Sequence, residues 1–211
     1  MKLNIIRKKI LKEAKICVVN NGWNDNLIFF ISENSNFNYE EIRVLFPNGY
    51  RELLQMYLDE VNQKMINESS KLDLLHLRVH ERVRELIKIR LDIILIEKKL
   101  FSKTFFHLST PNNYKFTSKN LYKVVDQIWY LAGDTSTDFN YYSKRLILAS
   151  VYTSVMVHFI NNNDFSETIK ILNKQLKRVS KIPKIKDKIT DIIKFSPRIL
   201  KFGKNFSLFK Q

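Results

Sequence analysis

His76 and His80 are the first residues whose type and spacing could do chemistry. Two imidazoles four apart on a helix share one face and could hold a metal ion. No carboxylate or cysteine stands at a spacing that completes such a set, so surface or satisfied histidines are the plainer reading. His107 and His158 are isolated. No Glu-x-x-His occurs, which argues against a helical di-iron carboxylate site. A nucleophile elbow and a Walker phosphate loop are missing as well. The sequence assigns no catalytic residue, metal ligand or cofactor, and reads as a protein that binds rather than reacts.

The segment Trp129–Arg145, WYLAGDTSTDFNYYSKR, carries a different kind of chemistry. An apolar helical run through Val124, Val125, Ile128, Trp129 and Leu131 stops at Gly133. A polar turn follows, then Tyr141 and Tyr142 beside Lys144 and Arg145. Neighbouring residues on a helix point about 100° apart, so both tyrosines cannot enter one core. An outward aromatic among cations suits a contact surface for a partner.

The elements that hold these residues are helical. Four glycines and four prolines in 211 residues leave little material for turn-rich β folds. Residues 3–20 repeat apolar side chains at helical spacing and end near Asn20-Asn21-Gly22. A short helix over 26–31, capped by Asn24 or Asp25, and another over 39–45 precede a long one over 50–66. The pattern predicts an unbroken helix from Leu72 to Leu100, with Leu72, Leu75, Val79, Val83, Leu86, Ile87, Arg90 and Ile94 near one face. Residues 101–114 read as irregular. Helices follow over 118–132, 140–159 and, capped by Asp164 or Ser166, to about Val179. The fold class is all-α. A helix-turn-helix-like unit occupies 1–66, a helical binding and dimerisation region 67–181, and a tail 182–211.

The net charge is +15, and two thirds of it lies in the last 38 residues, where twelve basic side chains face only Asp187 and Asp191. Lys2, Arg7, Lys8, Lys9, Lys12 and Lys15 form a second basic cluster. Both ends favour an anionic partner, either nucleic acid or lipid headgroups. In the tail, Ile185, Ile189, Ile192 and Ile193 gather on one stripe among lysines, and Phe202, Phe206 and Phe209 follow Pro197. A basic helix of that pattern lies on a membrane surface; docking on the domain is the alternative. No window approaches the ~20 apolar residues of a membrane span. The N-terminus reads as a first helix rather than a signal peptide. Cys17, the single cysteine, leaves no intrachain disulfide.

The first three helices also suit a DNA-reading unit. The third reads NYEEIRVLF, and Glu40 and Glu41 would stand where such a helix meets phosphates. Nucleic acid is therefore the weaker partner. A TetR-type transcriptional regulator with a small hydrophobic ligand remains the rival reading, and a scaffold without a pocket a third.

Four segments, NGWNDNLI, VLFPNGYRELLQMYLDEVN, LRVHERVRELIKIRL and IWYLAGDTSTDFNYYSKRLILASVYTSVM, together resemble the ubiquinone-biosynthesis accessory protein family, the lipid-binding coenzyme Q proteins. The likeness runs in order from about Leu3 to Val179. It implies a TetR-like all-α homodimer that binds an isoprenoid lipid or ubiquinone precursor without catalysis and presents it to a membrane-associated di-iron hydroxylase. It places the hydroxylase patch on Asn140-Tyr141-Tyr142, with Asp138 and Lys144 beside it; Tyr141 stands where the family carries tryptophan. It implies a membrane-associating tail, and a location in the bacterial cytoplasm peripheral to the inner membrane, or on the mitochondrial matrix side in a eukaryote. Candidate lipid-lining residues, between the 72–100 helix and the helices after Tyr114, are Phe105, Phe106, Ile128, Trp129, Tyr152, Met156 and Phe159. Helices 140–160 and 165–179 are the candidates for the dimer bundle.

Overall fold

The computed structural model describes residues 2–74, 76–136 and 139–179. The described residues form nine α-helices and one 3-10 turn: α1 (Lys2–Asn21), α2 (Leu27–Asn34), α3 (Tyr39–Leu45), α4 (Tyr50–Ser69), α5 (Val79–Ile96), α6 (Lys98–Leu108), the turn Pro111–Asn113, α7 (Tyr114–Leu131), α8 (Phe139–Asn161) and α9 (Phe165–Val179). No strand occurs among them. The all-α expectation and the three-helix N-terminal unit are both met.

One continuous core runs through the two regions read separately from the sequence. It joins Leu27 and Ile31 of α2 to Leu53, Tyr57 and Met65 of α4, then to Leu86 and Leu91 of α5, Val125 and Ile128 of α7, and Val155 and Phe159 of α8. Burying one such side chain is worth about 1.5–3 kcal/mol, so the shared core outweighs any surface contact between the regions.

Polar contacts add direction to this packing. Trp23 Nε1 donates to Thr104 Oγ1 at 2.9 Å, a buried bond from the N-terminal unit to α6. Lys15 Nζ lies 3.0 Å from Glu60 and 3.2 Å from Glu97. Arg7 reaches the Leu45 carbonyl at 2.8 Å and Glu52 at 2.7 Å, and stacks on Phe46. Two cations of the basic N-terminal cluster are thus engaged inside the fold rather than offered to a partner.

Three local expectations are corrected. The helix over 72–100 is two helices preceded by a turn, because α5 begins only at Val79. Arg78 caps it in extended conformation, with its N–H donating to Glu81 at 2.8 Å. An arginine gives no sequence signal for that start, where Ser, Thr, Asp or Asn would. His76 therefore precedes the helix that holds His80, and it sits exposed 3.5 Å from Asp73. The shared face needed for a metal pair does not form.

The second break falls at Glu97, which caps both α5 and α6 with φ −116° and ψ 38°. No glycine or proline marks it; a tertiary partner, Lys15, holds the carboxylate from outside. The region read as irregular is in fact α6, with Leu100, Phe101 and Thr104 buried. The start of α2 also differs. Asn24 accepts from the Asn26 N–H at 3.0 Å and Asn26 is the cap residue, so Asn24 shapes the approach rather than the cap. By contrast, Asp164 accepts from the Ser166 N–H at 2.8 Å and starts α9 as the sequence suggested.

Candidate functional site: a polar knot, an exposed edge and a buried cavity

α7 must stop for the polar turn to form, and Gly133 stops it. Its φ of +82° is one that other residues rarely adopt. The Gly133 and Asp134 N–H groups close back on Tyr130 and Trp129 carbonyls, each at 3.0 Å. A side chain at Gly133 would also approach the Arg82 guanidinium at 3.1 Å. The turn delivers Asp134 to α8.

There Arg145 is buried between two carboxylates. Its Nε lies 2.6 Å from Asp126 of α7 and its Nη1 3.2 Å from Asp134, with both the Arg145 and Asp134 side chains within 5% of full burial. Lys144 reaches the same Asp134 at 2.7 Å and also the Ser136 hydroxyl. Burial alone would raise the Asp134 carboxyl. The Lys144 and Ser136 hydrogen bonds and the neighbouring charges overcome that and hold it below the usual carboxylate range.

Tyr141 is part of this knot. Its ring lies under the Arg145 guanidinium at 3.3 Å, and its hydroxyl accepts from Tyr122 and donates to Asp126, both at 3.0 Å. Those two bonds push its ionisation up to about 12. Tyr142 is left outside, two thirds exposed, with its ring edge-on to Tyr141 at 5.1 Å. Leu146, one turn further along α8, and Tyr130 of α7 are each nearly three quarters exposed. The expectation that one tyrosine turns outward is met by Tyr142. Lys144 is committed to Asp134 and to the Trp129 ring, 5.5 Å away. Asp138 and the Asn140 side chain lie outside the described residues, as do Ile185, Ile189, Ile192, Ile193, Phe202 and Phe206.

A cavity of about 180 Å³ lies between α4, α5, α6, α7 and α8. Phe105, Tyr152 and Met156 line it, three of the seven candidate lipid contacts. Leu58, Phe101 and Val124 complete its apolar wall and were not singled out in the sequence. The other four candidates go elsewhere. Ile128 is fully buried core, and Phe159 packs on Phe165 at 6.4 Å. Phe106 is mostly exposed on the far side of α6. Trp129 lines a separate groove of about 500 Å³ between α5, α8 and α9. Helical spacing alone cannot separate a core position from a cavity wall, because both look inward.

The inner end of the cavity is polar. Arg90 is 2% exposed and donates from Nε to the Tyr152 hydroxyl at 2.7 Å and from Nη1 to Asn62 Oδ1 at 2.6 Å. Asn120 is closed off in a reciprocal pair with Gln55.

Removing one partner of a buried pair leaves the other charge uncompensated, at about 3–5 kcal/mol. Asp134→Asn, with Arg145 still held by Asp126, is expected to cost about 3 kcal/mol at pH 7 in urea unfolding. Because the folded-state carboxyl sits below its unfolded value of about 3.9, this contribution is complete above that pH and is lost as pH falls through the depressed value. The wild-type and variant stabilities should therefore stay apart down to about pH 4 and converge below it. Equal stabilities at pH 7 would remove the knot's structural role.

Comparison with known proteins gives the same direction as the sequence resemblance. The COQ9 family model matches residues 114–183, which includes the knot, α8 and α9. The chain is 31% identical over 115 residues to a probable mitochondrial ubiquinone biosynthesis protein coq9 of Dictyostelium discoideum, covering 54% of this chain and 38% of that protein. It is 24% identical over 180 residues to the mitochondrial ubiquinone biosynthesis protein COQ9 of Bos taurus, covering 81% and 56%, and 23% identical over 180 residues to that of Homo sapiens, covering 81% and 56%. The chain thus spans about half the length of the curated relatives it matches. Among solved structures, a TetR transcriptional regulator from Nitrosomonas europaea superposes with a TM-score of 0.69 at 17% identity, covering 83% of this chain and 98% of that one. In sequence the chain is similar to the COQ9 ubiquinone biosynthesis proteins, and its fold is TetR-like.

Proposed function

We propose that this chain is a non-catalytic accessory protein of ubiquinone biosynthesis that binds an isoprenoid quinone precursor and presents it to a membrane-associated di-iron hydroxylase. The observation that carries this reading is the apolar cavity walled by Phe101, Phe105, Tyr152 and Met156, in a chain similar to COQ9 proteins. A largely apolar cavity with a few convergent polar groups is the usual form of a small-molecule site. At about 180 Å³ it equals the liquid volume of about six waters. It therefore takes a head and the first part of a chain, and a longer chain leaves past Phe105 and the exposed Ser109 and Thr153.

In this reading Tyr142 and Leu146 form the docking edge for the hydroxylase, with the knot fixing their position and Tyr141 supporting them from below. α8 and α9 are the homodimer helices. The chain works as a peripheral membrane protein, on the matrix side of the mitochondrial inner membrane or the cytoplasmic side of a bacterial one. The basic tail with Ile185, Ile189, Ile192, Ile193, Phe202 and Phe206 contacts anionic lipid, each cation adding about 1 kcal/mol near the surface. None of the helices among the described residues is long and apolar enough to cross a membrane.

The TetR-like fold favours one rival, a transcriptional regulator. Against it, Glu41 folds back on the start of α3, accepting from the Asn38 N–H at 3.3 Å, so the end that would enter a groove carries its own carboxylates. In a gel shift with the chain's own upstream DNA at 200 mM salt, no sequence-specific complex is expected. A complex that survives cold competitor would favour the regulator.

Two further outcomes test the proposal itself. Lipid extraction and mass spectrometry of the purified chain should yield an isoprenoid. Met156→Trp, which fills the cavity, should lose it while the helical circular dichroism is kept; an empty wild type points to a scaffold. Tyr142→Ala with Leu146→Ser should abolish co-purification with the hydroxylase and leave the bound lipid unchanged. If the pair survives, the docking edge lies elsewhere.

A further inference from the structure

The polar end of the cavity holds a charge without a counter-ion. Arg90 is almost fully buried, and both of its hydrogen-bond partners, Asn62 and Tyr152, are neutral. Among the described residues no carboxylate pairs with it. A guanidinium cannot shed its proton, and leaving a buried charge unpaired is costly. Folding has nonetheless placed it beside a cavity rather than at the surface.

The hydrogen-bond inventory gives the sign of what belongs there. Arginine only donates, so Asn62 turns its amide oxygen to Arg90 and its NH₂ away. The Tyr152 oxygen accepts from Nε, and its own proton remains to be given. The Arg90 Nη2 group, the Asn62 NH₂ and the Tyr152 hydroxyl hydrogen have no acceptor among the described residues. Three donor groups and one full positive charge meet at the inner end of an otherwise apolar cavity. On the same cavity wall, Thr117 and Ser109 give their hydroxyl protons to the Leu108 and Phe105 carbonyls.

From this we infer that Arg90, Asn62 and Tyr152 form a seat for an anionic oxygen head, a carboxylate or phenolate, carried on an apolar chain that fills the cavity. The ligand supplies the counter-charge that the fold omits, and the charge-assisted bonds select it over a neutral alcohol of the same length. The inference rests on the reading that this cavity binds a lipid. It adds that the head enters first, the chain trails outward, and an acidic head is preferred.

The test uses the full chain, with octanoate and octan-1-ol as probes in isothermal titration calorimetry at pH 7.5. Octanoate should bind at least tenfold more tightly than octan-1-ol. Arg90→Met should remove that preference. Asn62→Asp gives a second reading: it places a carboxylate beside Arg90, and octanoate should lose its advantage in a protein at least as stable as the wild type. Equal affinity for the two probes in the wild type, or a preference that survives in Asn62→Asp, overturns the seat and leaves the lipid cavity standing. Failure of both probes to bind overturns the cavity reading together with the seat.

Discussion

Arg145 decides where the carboxy-terminal half of the molecule can stand. Its guanidinium is buried between a carboxylate on α7 and another on the turn after Gly133, and neither can be withdrawn without leaving charge in a dry place. That requirement fixes the distance between α7 and α8 at the level of Tyr141. It also fixes the rotation of α8, because Arg145 can face Asp126 only if Leu146 turns outward. The exposed edge of Tyr142 and Leu146 is thus a by-product of satisfying one arginine. The same register carries Tyr152 and Met156, further along α8, to the cavity wall.

The two buried arginines show opposite solutions to one problem. Arg145 is surrounded by acids and is closed: each of its contacts is internal, and its value lies in geometry. Arg90 is surrounded by neutral groups and is open, with donors left over at a cavity. Methionine would serve packing as well at that position, and a buried guanidinium beside empty volume suits a ligand.

Much of the architecture was legible in the chain. Of the stripe read as one face, Val83, Leu86, Ile87, Arg90 and Ile94 are buried together, whereas Leu72 and Val79 are exposed and Leu75 lies outside the described residues. The outward tyrosine followed from the angle between neighbours on a helix. What was illegible depended on distant partners. Glu97, at the break, is held by Lys15, 82 residues earlier, and nothing local announces it. Arg90 read as one more stripe position because Asn62 and Tyr152 lie 28 and 62 residues away. Three of the seven lipid candidates line the cavity and four lie elsewhere, since a period of 3.6 says that a side chain looks inward, not whether it meets atoms or space.

The bond between Trp23 and Thr104 has a consequence for how such a fold can change its use. Thr104 sits on the helix whose Phe101 and Phe105 wall the cavity, and Leu58 and Asn62 of α4 form the wall opposite. Trp23 thereby ties the N-terminal three-helix unit to the wall of the chamber. A unit with that task cannot be detached as a module without loosening the chamber wall.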